Sequence, residues 1–335
     1  MIVRQVLSRL LQALPTLVGV AVLVFVLVRV VPGDPIAMMI APGASPDDIA
    51  RLRGLYGLDR SIPEQFAIWA GRALAGDFGT SISLRQSVMS LVLARLPSTL
   101  ELAVFATVIA IALGTALAVF GVRHRGRLGE AATDAATGFA LSVPDFIWAL
   151  LLMLVFGVLA PLLPISGRLD PSVDPGFVTR FYLVEALLRG RVAVAGDLVA
   201  HLLLPALALA LPLAAMIGRV LKSSLAEEML QDYVMLARVK GFSRWRIILG
   251  EALRNAAIPA VSLTGVQFTF LVGGTVLIEK IFSFPGIGNL AIDAVINRDL
   301  PLIQGLILVF ALMFIVINLG LDLVYAALNP RLRHG

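Results

Sequence analysis

Cysteine is absent from the 335-residue chain. Disulfides, thiolate metal sites and a cysteine nucleophile are therefore excluded. Lysine is nearly absent: Lys222, Lys240 and Lys280 are the whole supply. None of them stands in a Gly-x-x-x-x-Gly-Lys-Ser/Thr loop, so the chain cannot cradle a nucleotide phosphate by that device. Histidine occurs at His124, His201 and His334, far apart, without a His/Cys/Asp grouping of metal-ligand spacing. No nucleophile–base constellation is visible. Charge of either sign is sparse, at 15% of residues. These absences argue for a chain that is not an enzyme and holds no metal or cofactor of its own.

What is abundant is apolar. Hydrophobic residues make up 59% of the chain and the mean hydropathy is +0.94. Globular proteins do not have this balance; helical membrane proteins with several spans do. The net charge of +5 then reflects membrane topology and not nucleic-acid binding. Spans need roughly 20 mainly apolar residues. Six stretches qualify: Leu10–Val31, Leu100–Gly121, Ala135–Leu159, Leu202–Ile217, Ala257–Ile278 and Leu302–Leu323. The first is too long for a signal peptide and lacks a small-residue cleavage site, so it reads as an uncleaved span. The third contains Pro144, which kinks it or marks its true start. The fourth contains Pro205 and Pro212, and its limits are the least defined. The expected fold is an all-α polytopic membrane protein with six transmembrane helices.

Orientation follows from Lys and Arg. With both termini in the cytoplasm, the inside segments carry them about twice as densely as the outside ones. The expected layout is an N-terminal transmembrane helix over 1–31 and an extracytoplasmic segment over 32–97. A five-helix core over 98–328 follows, containing a cytoplasmic loop at 219–256, and 329–335 form a cytoplasmic tail. The 32–97 segment is patterned for order. Ser45 precedes Ile49, Leu52 and Leu55 at helical spacing. Ser61 precedes Pro63 and Glu64, with Phe66, Trp69 and Leu74 on one face and Gly76 as a stop. Such helices can lie on the bilayer or form a platform for an extracytoplasmic partner.

The polar stretch Lys222–Pro259 is not written like a simple connector. Ser224 and Glu227 form a capping-box pattern, predicting a helix over Leu225–Lys240. Gly241 sits where a left-handed residue ends that helix, with Arg238 and Lys240 in its last turn. Ser243 caps a second helix running through Arg244, Arg246 and Arg254. Leu225, Met229, Tyr233, Leu236 and Val239 add apolar side chains. They can pack beneath the spans or form a plug for a partner's groove.

Ionisable residues inside spans are costly and usually face the bundle interior. The candidates are Arg29, Glu101, Asp145, Glu279 and Asp322. Arg29 and Glu101 lie near span ends, and snorkelling is the expectation for both. Asp145 follows Pro144 and can line a cavity. Glu279 precedes Lys280, so pairing between the two is expected. Asn318 and Asp322 are four apart and share a helix face. Gly265, Gly273 and Gly274 permit close helix approach or line a path.

The motifs then converge. Asp232-Tyr233-Val234, Ala237-Arg238-Val239-Lys240-Gly241 and Ala252-Leu253-Arg254-Asn255-Ala256 with Pro259 resemble the coupling loop of bacterial ABC importer permeases. The similarity is closest to the dipeptide/oligopeptide/nickel branch. That loop begins Glu-Ala-Ala in the broad family; here Met235 and Leu236 replace the Glu and first Ala, while Ala237 and Gly241 match. Pro32-Gly33-Asp34-Pro35, Tyr56–Gln65, Gly76–Ser81, Leu96–Ala103, Glu279 to Gly288, Asn297–Pro301 and Asn318 to Arg331 follow the same family in order. The resemblance covers nearly the whole chain. It implies a type I importer permease in the bacterial inner membrane, with Asp232, Tyr233, Ala237, Arg238, Lys240 and Gly241 as the ATPase-coupling residues. It implies a second homologous permease, two ATP-binding cassette ATPase subunits that bind ATP and Mg, and an extracytoplasmic solute-binding protein. Asp145, Gly273, Gly274, Glu279, Asn318 and Asp322 are candidates for the translocation path or for helix packing. Di- and oligopeptides are the expected cargo, with nickel chelates or other small solutes as the alternative. A secondary carrier or channel subunit is the reading from another class; it does not account for the helical plug.

The absence of cysteine makes the topology directly testable. A cysteine introduced at Ser45 or Pro171 is expected to react with an impermeant thiol reagent from outside intact cells. A cysteine introduced at Gly241 is expected to react only after permeabilisation. Labelling at 241 from outside would reverse the orientation.

Overall fold

The computed structural model describes residues 2–30, 45, 47, 59–174 and 176–328, and side chains from 9, 11–26, 45, 47, 59–174 and 176–323. The helix expected after Ser45, the Arg29 side chain and the tail 329–335 lie outside these.

The described chain is helical. In order it forms α1 (Ile2–Val30), α2 (Ile62–Leu74), α3 (Val88–Arg123), α4 (Leu128–Ser142) and α5 (Asp145–Met153), which continues as a π-helical turn, Leu154–Leu159. There follow α6 (Tyr182–Leu188), α7 (Val192–Glu228), α8 (Asp232–Val239) and α9 (Arg244–Arg246). A second π-helical stretch, Ile247–Ala252, leads into α10 (Leu253–Ile281), and α11 (Ile287–Ile296) and α12 (Leu300–Leu328) complete the chain. Among the described residues the one β-type pairing is an isolated bridge between Thr80 and Ser87.

Among the described residues, four helices are long and apolar enough to cross a membrane: α3, α7, Arg244–Ile281 and Leu300–Leu323. The pair α4 and α5 makes a fifth if counted as one span, although it bends by 100°. The break has a local cause. Pro144 has no N–H to continue the helix, and Val143 before it takes an extended conformation (φ −100°, ψ 122°). The chain restarts at Asp145, whose carboxylate accepts the Phe146 N–H at 2.8 Å. In α1 the apolar run is Leu11–Val26.

The expectation for the fourth span fell short. α7 runs from Val192 to Glu228 and passes through Pro205 and Pro212 without stopping. Hydropathy saw only its most apolar middle. The helix extends beyond that run at both ends because packed or ion-paired residues continue it. At its last turns the Lys222 ammonium meets Asp134 at 2.7 Å and Glu130 at 3.0 Å, both on α4.

The chain forms two compact units. One comprises Met1–Leu96 and Leu290–Gly335, the other Pro97–Asn289. In the first, α1 packs along α12, and Arg9 pairs with Asp322 at 2.9 Å. Further along α1, Phe25 contacts the rings of Phe66 and Trp69 on α2 at centroid separations of 5.2 and 5.7 Å. α2 begins as its sequence pattern indicates, with the Glu64 carboxylate accepting the Ser61 N–H at 3.2 Å. At the start of α12 sits Asp299, fully buried. It accepts the hydroxyls of Ser81 and Ser83 at 2.6 and 2.7 Å and the Ser83 N–H at 3.0 Å. Burial raises its pKa, but these hydrogen bonds outweigh burial and the net shift is downward.

The second unit is built around α7, which packs against α10, α4, α5 and α6. It also crosses α3 at two glycines. A Cβ at Gly114 would lie 2.8 Å from the Ala214 carbonyl oxygen, and one at Gly218 would lie 3.2 Å from the Gly114 oxygen. Only glycine allows so close a backbone approach. Glu101 does not snorkel. It is buried and paired with Arg168, and it accepts the Leu183 N–H at 3.0 Å. Arg168 in turn donates to the Arg180 carbonyl at 2.8 Å and lies over the Tyr182 ring at 4.1 Å. A carboxylate of α3 thus anchors the 161–198 segment, which is why it cannot reach water.

Removing one partner of a buried pair leaves the other charge unmet, at a cost of about 3–5 kcal/mol. Arg168→Met is therefore expected to lower the thermal midpoint of the purified protein strongly. Glu101→Leu combined with Arg168→Met is expected to recover most of the loss. A single Arg168→Met variant as stable as the parent would show that the pair does not anchor the segment.

Candidate functional site

The candidate site is the segment between α7 and α10. α7 does not stop at Ser224, and the single helix expected over Leu225–Lys240 is two. Leu225 is buried within α7 and Met229 nearly so. The chain turns at Met229–Gln231, and Gln231 (φ −74°, ψ 152°) starts α8 at Asp232. Ser224 therefore caps nothing. Burial of Leu225 holds the last turn of α7 in helix where the capping pattern alone suggested a start.

The end of α8 is as expected. Gly241 has φ +76°. The Phe242 N–H returns to the Ala237 oxygen at 3.1 Å and the Gly241 N–H to the Arg238 oxygen at 2.9 Å. This is the Schellman pattern, which needs a left-handed residue at that point. Ser243 then accepts the Arg246 N–H with its hydroxyl at 3.4 Å and opens α9. α9 grips the last turn of α3: Arg244 donates to the Val122 carbonyl at 3.1 Å, and Arg123 lies over the Trp245 ring at 4.5 Å.

α8 has two apolar faces. Val234 and Ala237 are 0% and 5% exposed and pack inside this chain, where α8 meets the π-helical stretch 247–252. Met235, Leu236 and Val239 are 62%, 54% and 85% exposed. Ala237, expected to enter a partner's groove, is thus turned inward. The spacing explains why: 234 and 237 are three apart on one side, while 235, 236 and 239 occupy the other. Asp232, Lys240 and Gly241 are exposed, and Arg238 donates to the Met229 carbonyl at 3.1 Å. The Tyr233 hydroxyl donates to Glu228 and accepts from Asn255 Nδ2 at 3.3 Å. Burial, with the adjacent Glu228 carboxylate, holds the Tyr233 pKa above its ordinary value. Sequence reasoning missed Met235, Glu228 and Asn255. Met235 was legible from the i, i+4 pairing with Val239; the other two required knowing which helix ends meet.

The polar residues of the spans have local partners within each unit. Asp145 on α5 faces α10: a Cβ at Gly274 would lie 3.7 Å from its Oδ2, whereas nothing lies within 4 Å of one at Gly273. Glu279 is turned inward and fully buried, away from the pairing expected with Lys280. It accepts the Thr99 hydroxyl at 2.7 Å and the Asn289 N–H at 3.0 Å, with a further bond from the Gly288 N–H. Thr99 also accepts the Ile287 N–H at 2.9 Å. The turn 286–289 wraps so tightly on this carboxylate that a Cβ at Gly286 would lie 2.2 Å from it. In the first unit Asn318 bonds the Phe314 carbonyl of its own helix at 2.7 Å, while Asp322 holds Arg9.

The sequence matches known proteins. A family model described as "Binding-protein-dependent transport system inner membrane component" matches residues 108–334, and its N-terminal companion matches residues 2–103. The chain belongs to this family. The dipeptide transport system permease protein DppB of Escherichia coli (strain K12) is 38% identical over 336 residues, covering 98% of each chain. The di/tripeptide transport system permease protein DppB of Pseudomonas aeruginosa (strain UCBPP-PA14) is 37% identical over 327 residues, covering 97% of each. The glutathione transport system permease protein GsiC of Salmonella typhimurium (strain LT2) is 39% identical over 333 residues, covering 98% of each.

In this permease the glycines sort by their surroundings. A methyl group at Gly286 meets the Glu279 carboxyl, and one at Gly288 lies 2.5 Å from the Val276 Cα. Gly286→Ala and Gly288→Ala are expected to lower the thermal midpoint by several degrees, through overpacking of about 1–3 kcal/mol. Gly273→Ala is expected to leave it unchanged. A destabilising Gly273→Ala with a silent Gly286→Ala would refute this ordering.

Proposed function

We propose that this protein is a transmembrane permease subunit of an ATP-driven, binding-protein-dependent importer of di- and oligopeptides. The observation that carries the reading is α8. It is a short helix ended by a Schellman glycine, seated on its own chain by Val234 and Ala237, with Met235, Leu236 and Val239 presented outward. Exposed apolar side chains on a two-turn helix are an unfavourable surface unless a groove receives them. The occupant of that role is a nucleotide-hydrolysing subunit. Two such ATP-binding cassette subunits bind ATP and Mg and supply the energy.

The remaining parts follow. A second homologous permease completes the translocation path, and an extracytoplasmic solute-binding protein delivers the cargo. The chain crosses the membrane six times, with α1 and the bent α4–α5 pair as spans beside the four long ones. Both termini lie in the cytoplasm. In support, Arg9 near the start of α1 pairs with Asp322 near the end of α12, which puts these two helix ends at the same side of that unit. The peptide assignment is supported by relatives whose names specify dipeptide, di/tripeptide and glutathione transport. The cycle runs from outside inward. A loaded binding protein docks, ATP draws the cassettes together, α8 transmits that motion to α7 and α10, and the path opens to the binding protein.

Leu236→Glu and Val239→Glu place charge on the outward face without touching the chain's own packing. They are expected to reduce co-purification of the ATPase subunits at least tenfold and to abolish peptide uptake, with normal membrane insertion. Ala237→Glu is expected to lower the yield of the folded chain, because that position is buried. Normal ATPase binding and normal uptake in both outward-face variants would remove α8 as the coupling element. Ligand binding by the partner solute-binding protein fixes the cargo.

A further inference from the structure

Tyr233 belongs to the segment whose family resemblance implies ATPase coupling, yet its hydroxyl is committed inside the chain. It donates to Glu228 at the end of α7 and accepts from Asn255 at the start of α10. A phenol has one hydrogen to give and lone pairs to receive, so both uses are filled by one geometry. α8 itself has only eight residues, a length at which a helix has little stability of its own. Its position is therefore set by what holds it. Val234 and Ala237 hold it from below, and apolar packing of this kind fixes distance better than it fixes rotation or sliding. Arg238 adds a bond to the Met229 carbonyl. The Tyr233 hydroxyl is directional and reaches both neighbouring helix ends. On the far side of Gly241, Arg244 and Trp245 tie α9 to the last turn of α3 at Val122–Arg123.

We propose that Tyr233 is a positioning residue, a strut that makes α8 move as one body with the ends of α7 and α10. The inference rests on the reading of α8 as the coupling element, and it separates two jobs within that element. Met235, Leu236 and Val239 meet the ATPase. Tyr233 does not; it carries the displacement onward to the two helices that form the packed centre of the Pro97–Asn289 unit. Without the strut, α8 still docks, but it rocks on Val234 and Ala237 and part of each stroke is lost.

The test uses the full complex, reconstituted with its binding protein and ATPase subunits. Tyr233→Phe keeps the ring volume and removes both hydrogen bonds. The expected result is ATPase co-purification at the parental level, with ATP hydrolysed per peptide imported rising about tenfold, the factor that corresponds to losing about 1.4 kcal/mol. A second variant, Glu228→Leu with Tyr233→Phe, removes the acceptor as well, and the exposed Asn255 amide turns to water. Its thermal midpoint is expected to return toward the parental value while the ATP-per-peptide ratio stays raised. A ratio that recovers together with stability would make Tyr233 merely structural and overturn the strut. So would a parental ratio in Tyr233→Phe, and so would loss of ATPase binding in that variant, which would make the residue a docking contact. Failure of the parental permease to retain ATPases at all would overturn the importer reading and the strut with it.

Discussion

A carboxylate taken out of water must be met by donors, and in this chain the donors come from distant parts of the sequence. Glu101 is met by Arg168 and the Leu183 N–H. Glu279 is met by Thr99 and the backbone of the turn 286–289. Asp299 is met by Ser81 and Ser83. Thr99 lies in α3 itself; Arg168, the turn 286–289, Ser81 and Ser83 lie in segments between long helices. The cost of burying a charge is thereby turned into a device for tying irregular backbone to rigid helix ends. Glu279 stands near the end of α10 and Asp299 at the start of α12, whereas Glu101 lies inside α3. The connecting segments are ordered because these acids demand it.

The same economy governs the helix contacts. Apolar attraction between helices is weak in a lipid environment, so close backbone approach has to supply the packing. Gly114 and Gly218 do this where α3 crosses α7. Polar pairs then fix register at the helix ends: Lys222 with Glu130 and Asp134 in one unit, Arg9 with Asp322 in the other. The pair α4 and α5 is bent by 100° at Val143–Pro144, and Asp145 and Gly274 sit beside the break.

In the segment after α7, the inner face of α8 packs on the chain and its outer face is exposed, and the division runs between residues adjacent in sequence. Met235 and Leu236 depart from the broad family pattern and both lie on the outer face. Ala237 and Gly241 match it and serve the chain's own geometry, one by packing and the other by its left-handed backbone. The part of the motif that matches the family pattern is thus the part that builds the helix, while the part that departs from it is exposed.

Composition and periodicity by themselves determined the class of this protein: all-helical, membrane-embedded, without a nucleotide loop or a metal-binding pattern. They determined the turn at Gly241, the Ser243 cap, the Ser61–Glu64 start of α2 and the break at Pro144, because each depends on residues within one helical turn. They did not determine the ends of α7, since Leu225 stays helical through burial against elements far away in sequence. They did not determine the fate of Glu101 or Glu279, which lie near span ends and look free to reach water. Nor did they determine which face of α8 is turned outward, because both faces are apolar. In each case the deciding partner is tens of residues away or more. Local sequence sets what a segment is able to form; only the tertiary structure decides which of its groups have found partners, because burial is a property of the whole packing.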